Sequence, residues 1–211
     1  MIQYPKIDGP FRRAENGKVI QGQWRLPEFE YLKDAMWSWT EKIDGTNIRI
    51  GWDGEKVEFG GRTENAQIPT PLLMRLIELF SKEKFETFTG ADQVVLFGEG
   101  YGAGIQKGGK YRPTPDFILF DVWIDGWWLK DEDMRGIAAK LDLEAVPGYV
   151  FDVPLDEMIA DMNCPTVTWR SHFGDFTPEG YVGKPLVPLF DRRGNRIIVK
   201  LKFCDLGPAN V

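Results

Sequence analysis

The stretch "IRIGWDGEKVEF", residues 48–59, limits the architecture more than any other. Apolar and polar residues alternate on both sides of Asp53-Gly54, and period two belongs to a half-buried strand. Asp-Gly favours a two-residue hairpin turn, so the segment reads as two antiparallel strands. A second hairpin is expected near the C-terminus, where "GYVGKPLVPLF" and "RIIVKLKF" flank the turn "DRRGN". "QVVLFGE" (93–99) reads as a buried strand. "DFILFDVWI" (116–124) reads as another, turning at Asp125-Gly126 into "WWL". Helices are expected over 70–80, 131–141 and 155–162. In the first of these, Thr70 is the expected cap, Pro71 suits the first turn, and Leu72, Leu73, Leu76, Ile77 and Phe80 form one stripe. The first forty residues read as loops and a short hairpin. Strands linked by turns, with helices interspersed, make the chain α+β, with mainly antiparallel sheets flanked by helices.

Composition narrows the function. Of 211 residues 43% are hydrophobic and 27% charged, as in a globular chain with a core. The net charge of −6 argues against bulk, nonspecific nucleic-acid binding. Cys164 and Cys204 give neither a disulfide framework nor zinc spacing, and His172 as sole histidine excludes a histidine-rich metal site. There is no apolar run of membrane length and no secretory pattern, so a cytoplasmic protein without a membrane partner is expected. The positive charge is uneven: "KGGKYR" (107–112) and "RRGNRIIVKLK" (192–202) together hold eight basic residues and no acidic ones. In the last strand Lys200 and Lys202 share one face, opposite Val199 and Leu201. Two cations fixed side by side suit an anion, above all a phosphate.

"TEKIDGTNIRI" (40–50) places Lys42 between Glu41 and Asp44. Taken alone, Asp44-Gly45 is a turn and Lys42 a surface charge; the alternative is that Lys42 is a nucleophile. Further stretches bear on the choice: "GRT" with Arg62, "FGEGYGAGIQKGGKY" with Glu99 at a strand end, "FILFDV" with Phe120, "EGYVGKP" with Glu179 and Lys184, and "VKLK" with Lys200 and Lys202. In this order, over residues 41 to 202, they resemble the nucleotidyltransferase motifs of the covalent ligases and capping enzymes. Asn47, two places after Gly45, resembles the RNA-ligase branch: the phage enzyme that seals nicked duplex RNA, and the RNA-editing ligases.

The resemblance implies a nucleotidyltransferase (ATP-grasp-like ligase) fold, with residues 1–211 as a single adenylyltransferase domain. Nine residues follow Lys202, so no separate C-terminal or OB domain is expected, and a protein partner would take its place. ATP and Mg²⁺ or Mn²⁺ are the implied cofactors, and RNA ends, nicked or duplex, the implied partners. Lys42 would carry AMP covalently, with Lys200 and Lys202 catalytic beside it. Glu41, Asp44, Asn47, Arg62, Glu99, Phe120 and Lys184 would bind the nucleotide. Glu99 and Glu179 would hold the metal. A phage origin also fits this resemblance. Two alternatives stay open at this level: a DNA ligase or capping-type enzyme, and a non-catalytic module that binds nucleotide or RNA ends.

Overall fold

The computed structural model describes residues 1–86, 88, 90–148 and 152–206. In chain order its strands are β1 (Phe11–Arg13), β2 (Val19–Trp24), β3 (Met36–Lys42), β4 (Thr46–Trp52), β5 (Val57–Gly61), β6 (Val94–Tyr101), β7 (Asp116–Ile124), β8 (Trp127–Trp128), β9 (Val153–Pro154), β10 (Gly180–Pro185) and β11 (Val199–Lys202). The helices are α1 (Pro27–Tyr31), α2 (Thr70–Leu79), α3 (Lys82–Phe85), α4 (Asp131–Leu141), α5 (Leu155–Asn163) and α6 (Phe203–Leu206). All pairings between these strands are antiparallel. The chain divides into two compact units. One comprises Met1–Tyr4 and Ile43–Val146, the other Pro5–Lys42 and Pro147–Val211.

The first unit is built on a five-stranded sheet of order β5-β4-β6-β7-β8. Ile48, Ile50 and Trp52 alternate along β4 and enter a core with Leu96, Leu119, Leu72 and Leu76. The expected turns hold: Gly54 has φ +91°, and Asp125 and Gly126 both have positive φ. In α2 the expectation is only partly met. Pro69, not Thr70, occupies the N-cap position, and no side chain caps the helix. Ile77 lies at 53% exposure, so the buried stripe narrows to Leu72, Leu76 and Phe80. The N-terminal residues are anchored by a buried arginine. Arg49 Nη1 donates to the Met1 and Ile2 carbonyls at 3.3 and 3.1 Å, while its Nε donates to Gly61 O at 2.7 Å.

The second unit carries a four-stranded sheet of order β11-β10-β3-β9 and the separate β1-β2 ribbon. One face of the larger sheet is apolar. Trp37, Trp39, Tyr181, Val199 and Leu201 pack there with Leu155, Met158 and Met162 of α5. β3 lies largely in the stretch read as irregular. Its Trp37 and Trp39 point inward at period two, which is the strand signal that reading passed over. The C-terminal hairpin is shorter than expected, since β11 begins only at Val199. Its turn is as expected: Asp191 Oδ1 accepts from Arg193 N and Asn195 N, each at 2.8 Å.

Candidate active site

Register fixes which side chains share a face. Gly180 lies across from Lys42 on one side and Lys202 on the other. Val182 likewise lies between Thr40 and Lys200, and Lys184 opposite Ser38. Directly opposed residues of an antiparallel sheet project to the same side. Lys42, Lys184, Lys200 and Lys202 therefore occupy one face, away from the tryptophans. Gly180 is required for close approach: a Cβ there would overlap the Leu201 carbonyl and come 2.9 Å from Lys202 Cα.

Glu179, just before β10, joins two of these lysines. Its Oε2 accepts from Lys42 Nζ at 2.7 Å and its Oε1 from Lys202 Nζ at 2.5 Å. The three side chains are only 23%, 17% and 29% exposed for Lys42, Glu179 and Lys202, so the ion pairs are partly withdrawn from water. Burial pushes the Glu179 carboxyl up, but the Lys42 charge and the hydrogen bonds from Lys202 and Lys42 outweigh it. The net shift is below the usual carboxylate range. Burial likewise lowers Lys202, and the hydrogen bond and charge of Glu179 more than reverse this, leaving it raised.

Glu41 faces the other way. Ser171 Oγ donates to its Oε1 at 2.6 Å and His172 N to its Oε2 at 2.8 Å. Its backbone N donates to Pro147 O at 2.9 Å. The carboxylate thus pins the 171–172 loop to the strand that ends in Lys42. His172 is an exposed loop residue, as expected.

The remaining expected residues belong to the five-stranded unit. Asp44-Gly45 is not a hairpin turn, because β3 and β4 lie in different sheets. Nor does Gly45 have a positive φ. It is required for space: a Cβ would overlap Gly100 O and come 2.9 Å from Glu99 Cγ. Asp44 N donates to Tyr111 Oη at 3.3 Å, which ties the loop to the "KGGKY" segment. Asn47 on β4 and Glu99 on β6 are directly paired. The Asn47 Oδ1 is buried with no hydrogen-bond partner among the described residues. Such an atom costs free energy unless a ligand or water donates to it. Phe120 is the extra residue of a bulge, since Phe97 pairs with Asp121 and Gly98 with Leu119. Bulges re-aim side chains, and Phe120 meets the edge of Tyr4 at 5.0 Å. Arg62 is exposed just after β5.

Tyr111, Ser171 and Tyr4 escaped the sequence reading. Only Tyr111 carried a signal, through its place in the basic glycine-rich run. That run is otherwise engaged locally: Arg112 pairs with Asp116, and Lys110 lies 5.1 Å from the Tyr111 ring centroid.

A sequence model of the RNA ligase family matches residues 35–202, most of the chain and the whole motif series. The chain belongs to the RNA ligase family. Solved structures of the Naegleria gruberi RNA ligase have the same fold. A lysine-to-alanine variant with ATP and manganese superposes at TM-score 0.66 with 17% identity, covering 95% of this chain and 61% of that one. A lysine-to-methionine variant with AMP and manganese gives TM-score 0.67 at 17% identity, over 95% and 57% of the two chains. The complex with pyrophosphate gives 0.64 at 18% identity, over 94% and 61%. This RNA-ligase-family chain therefore spans about three fifths of the length of those proteins. Its α+β nucleotidyltransferase fold is as expected from the motifs. No helix among the described residues is long and apolar enough to cross a membrane.

Proposed function

We propose that this chain is an ATP-dependent RNA ligase that works through a lysyl-AMP intermediate on Lys42. The observation that supports this most is the shared carboxylate, Glu179 held between Lys42 and Lys202. A surface lysine has no need of a second ammonium group on the same acceptor. A lysine that meets a triphosphate does, because fixed positive charge beside it draws in the anion and stabilises the charge on the transferred phosphate.

In the first step Lys42 Nζ gives its ammonium proton to solvent and attacks the α-phosphorus of ATP, a second N–H proton leaving to solvent as the phosphoramidate forms. A P–N bond forms, the bond to the β-phosphate oxygen breaks, and pyrophosphate leaves. Glu179 accepts hydrogen bonds from both amines and holds Lys42 in line, while Lys202 and Lys200 stabilise the charge on the phosphate. An oxygen of an RNA 5′-phosphate then displaces Lys42, which regains its proton. In the last step a 3′-hydroxyl attacks that activated phosphate and expels AMP. Asn47 Oδ1, buried without a partner, fits a donor from the nucleotide. Asp44, Glu99, Arg62, Phe120 and Lys184 are each assigned to nucleotide binding, and Glu41 acts by positioning the end of β3. Glu179 and Glu99 each offer carboxylate oxygens of the type magnesium and manganese prefer. A divalent ion would supply positive charge to the phosphates. The polynucleotide assigned is RNA with nicked or duplex ends.

The test is covalent labelling. The chain is incubated with radiolabelled ATP, GTP or NAD and a divalent metal, then run on a denaturing gel. Acid-labile label from ATP, absent in Lys42→Ala, is the expected result. Label from GTP would turn the reading to a capping-type enzyme, and no adduct from any nucleotide would leave a binding module. Nicked duplex RNA, nicked DNA and single-stranded RNA then separate the substrates.

A further inference from the structure

We infer that the N-terminal ribbon completes a second phosphate-binding cleft beside the lysine face, formed by Lys6, Arg13 and Arg25 together with Lys200 and Lys202. None of the first three belongs to the motif series. The cleft lies wholly within the second unit and has a volume of about 200 Å³. That is below the roughly 300–1,000 Å³ of a pocket for a drug-sized ligand, and it suits a phosphate or diphosphate group better than a nucleoside.

Its walls are set by backbone pairing. Lys200 N donates to Asp8 O at 3.0 Å, and Asp8 bridges to Val199 in parallel, so the segment before β1 runs along the edge of β11. This lays the ribbon against the strand that carries the two distal lysines. Five basic side chains line the cleft against two acidic ones, Asp8 and Asp205. The acids orient arginines: Arg13 pairs with Asp205 at 2.5 Å and Arg25 with Asp8 at 3.0 Å. Even with Glu179 counted against Lys202, positive charge is in surplus, on a chain whose net charge is −6. Lys6 is exposed, so its ammonium is accessible to a ligand. Lys202 joins the two places, lining the cleft and sharing Glu179 with Lys42. A phosphate in the cleft is thus one side chain removed from the proposed nucleophile. The ligand is a phosphate dianion, from one of two sources: the diphosphate that leaves ATP, or the terminal phosphate of an RNA strand. Only this assignment of sources rests on the ligase reading.

The experiment measures binding by calorimetry to two probes, inorganic pyrophosphate and a 5′-phosphorylated oligoribonucleotide, with the 5′-hydroxyl oligonucleotide as control. Lys6→Glu and Lys6→Glu/Arg25→Gln are compared with Lys56→Glu, the same charge change in the other unit. Melting curves check that each variant folds. We expect the Lys6 variants to weaken at least one probe fivefold or more while Lys56→Glu does not. Loss confined to pyrophosphate assigns the cleft to the leaving group, and loss confined to the 5′-phosphorylated strand assigns it to the RNA end. Equal binding of both probes by all variants and wild type overturns the inference. So does an equal loss in Lys56→Glu, which would mean diffuse charge. If Lys42 takes no label while the Lys6 variants still lose phosphate binding, the ligase reading falls and the cleft stands.

Discussion

Two polar sites, one on each of the larger sheets, are satisfied in opposite ways. On the four-stranded sheet the carboxylates are fully satisfied: both oxygens of Glu179 carry an ammonium, and those of Glu41 accept from a hydroxyl and a backbone amide. On the five-stranded sheet Asn47 Oδ1 is buried without a partner. The first arrangement is stable as it stands, and a ligand must compete with its internal pairs. The second is incomplete by one hydrogen bond, and a ligand can only improve it. Groups of the first kind contribute to folding as they stand, and under the proposed function to chemistry as well. Asn47 is of the second kind, and under the proposed function its contribution is to recognition.

This contrast can be broken most directly at Lys42. Lys42→Ala should lose the covalent adduct entirely, and Lys42→Arg should not restore it, because a guanidinium stays protonated. Labelling with radioactive ATP measures both.

Glu179→Gln comes next. It leaves two partly buried ammonium groups short of a charged acceptor and should cost about 2 kcal/mol of stability. Labelling should fall by roughly 100-fold, the scale of losing one positioned polar group. The pH dependence has a definite sign. The folded-state pKa of Glu179 is depressed, so its contribution is present above the unfolded value, roughly 4.3, and is lost as pH falls through the lower folded value. Lys202 is raised, so its contribution is present below about 10.4 and is lost as pH rises through the higher folded value. Melting temperatures of wild type and Glu179→Gln should therefore differ between these limits and converge in acid.

Gly45→Ala should destabilise by about 1–3 kcal/mol, the usual range for overpacking, since its Cβ meets the Gly100 carbonyl. Chemical denaturation measures this. Asn47→Ala should do the reverse. It removes an unsatisfied buried acceptor, so stability should hold within about 1 kcal/mol, while ATP binding weakens roughly tenfold for one lost hydrogen bond. If denaturation shows Asn47→Ala as damaging as Glu179→Gln, the contrast between the sheets is wrong.

Legibility in the sequence follows the range of the interactions. The Asp53-Gly54 hairpin, α4, α5 and the shared face of Lys200 and Lys202 rest on neighbours within a few residues, and all could be read. β3 could have been read as well, because Trp37 and Trp39 alternate with Ser38 and Thr40. What joins Lys42 to Glu179 is contact across 137 positions, and Glu41 to Ser171 across 130. Only the resemblance to a motif series brought Lys42 and Glu179 together in advance. Nothing local announced that Glu41 would face inward, or that the segment before β1 would run beside β11. The Thr70 cap failed because Pro69 already supplies the extended entry to α2.

The strand that ends in Lys42 has two almost fully buried tryptophans among its inward side chains. The amine proposed as the nucleophile is thus cantilevered from a tightly buried aromatic pair, only three residues beyond Trp39. Thinning that aromatic anchor, as in Trp39→Leu, would let the nitrogen wander without touching any group assigned above to the nucleotide. Heat tolerance and adenylate capture should then decline in step.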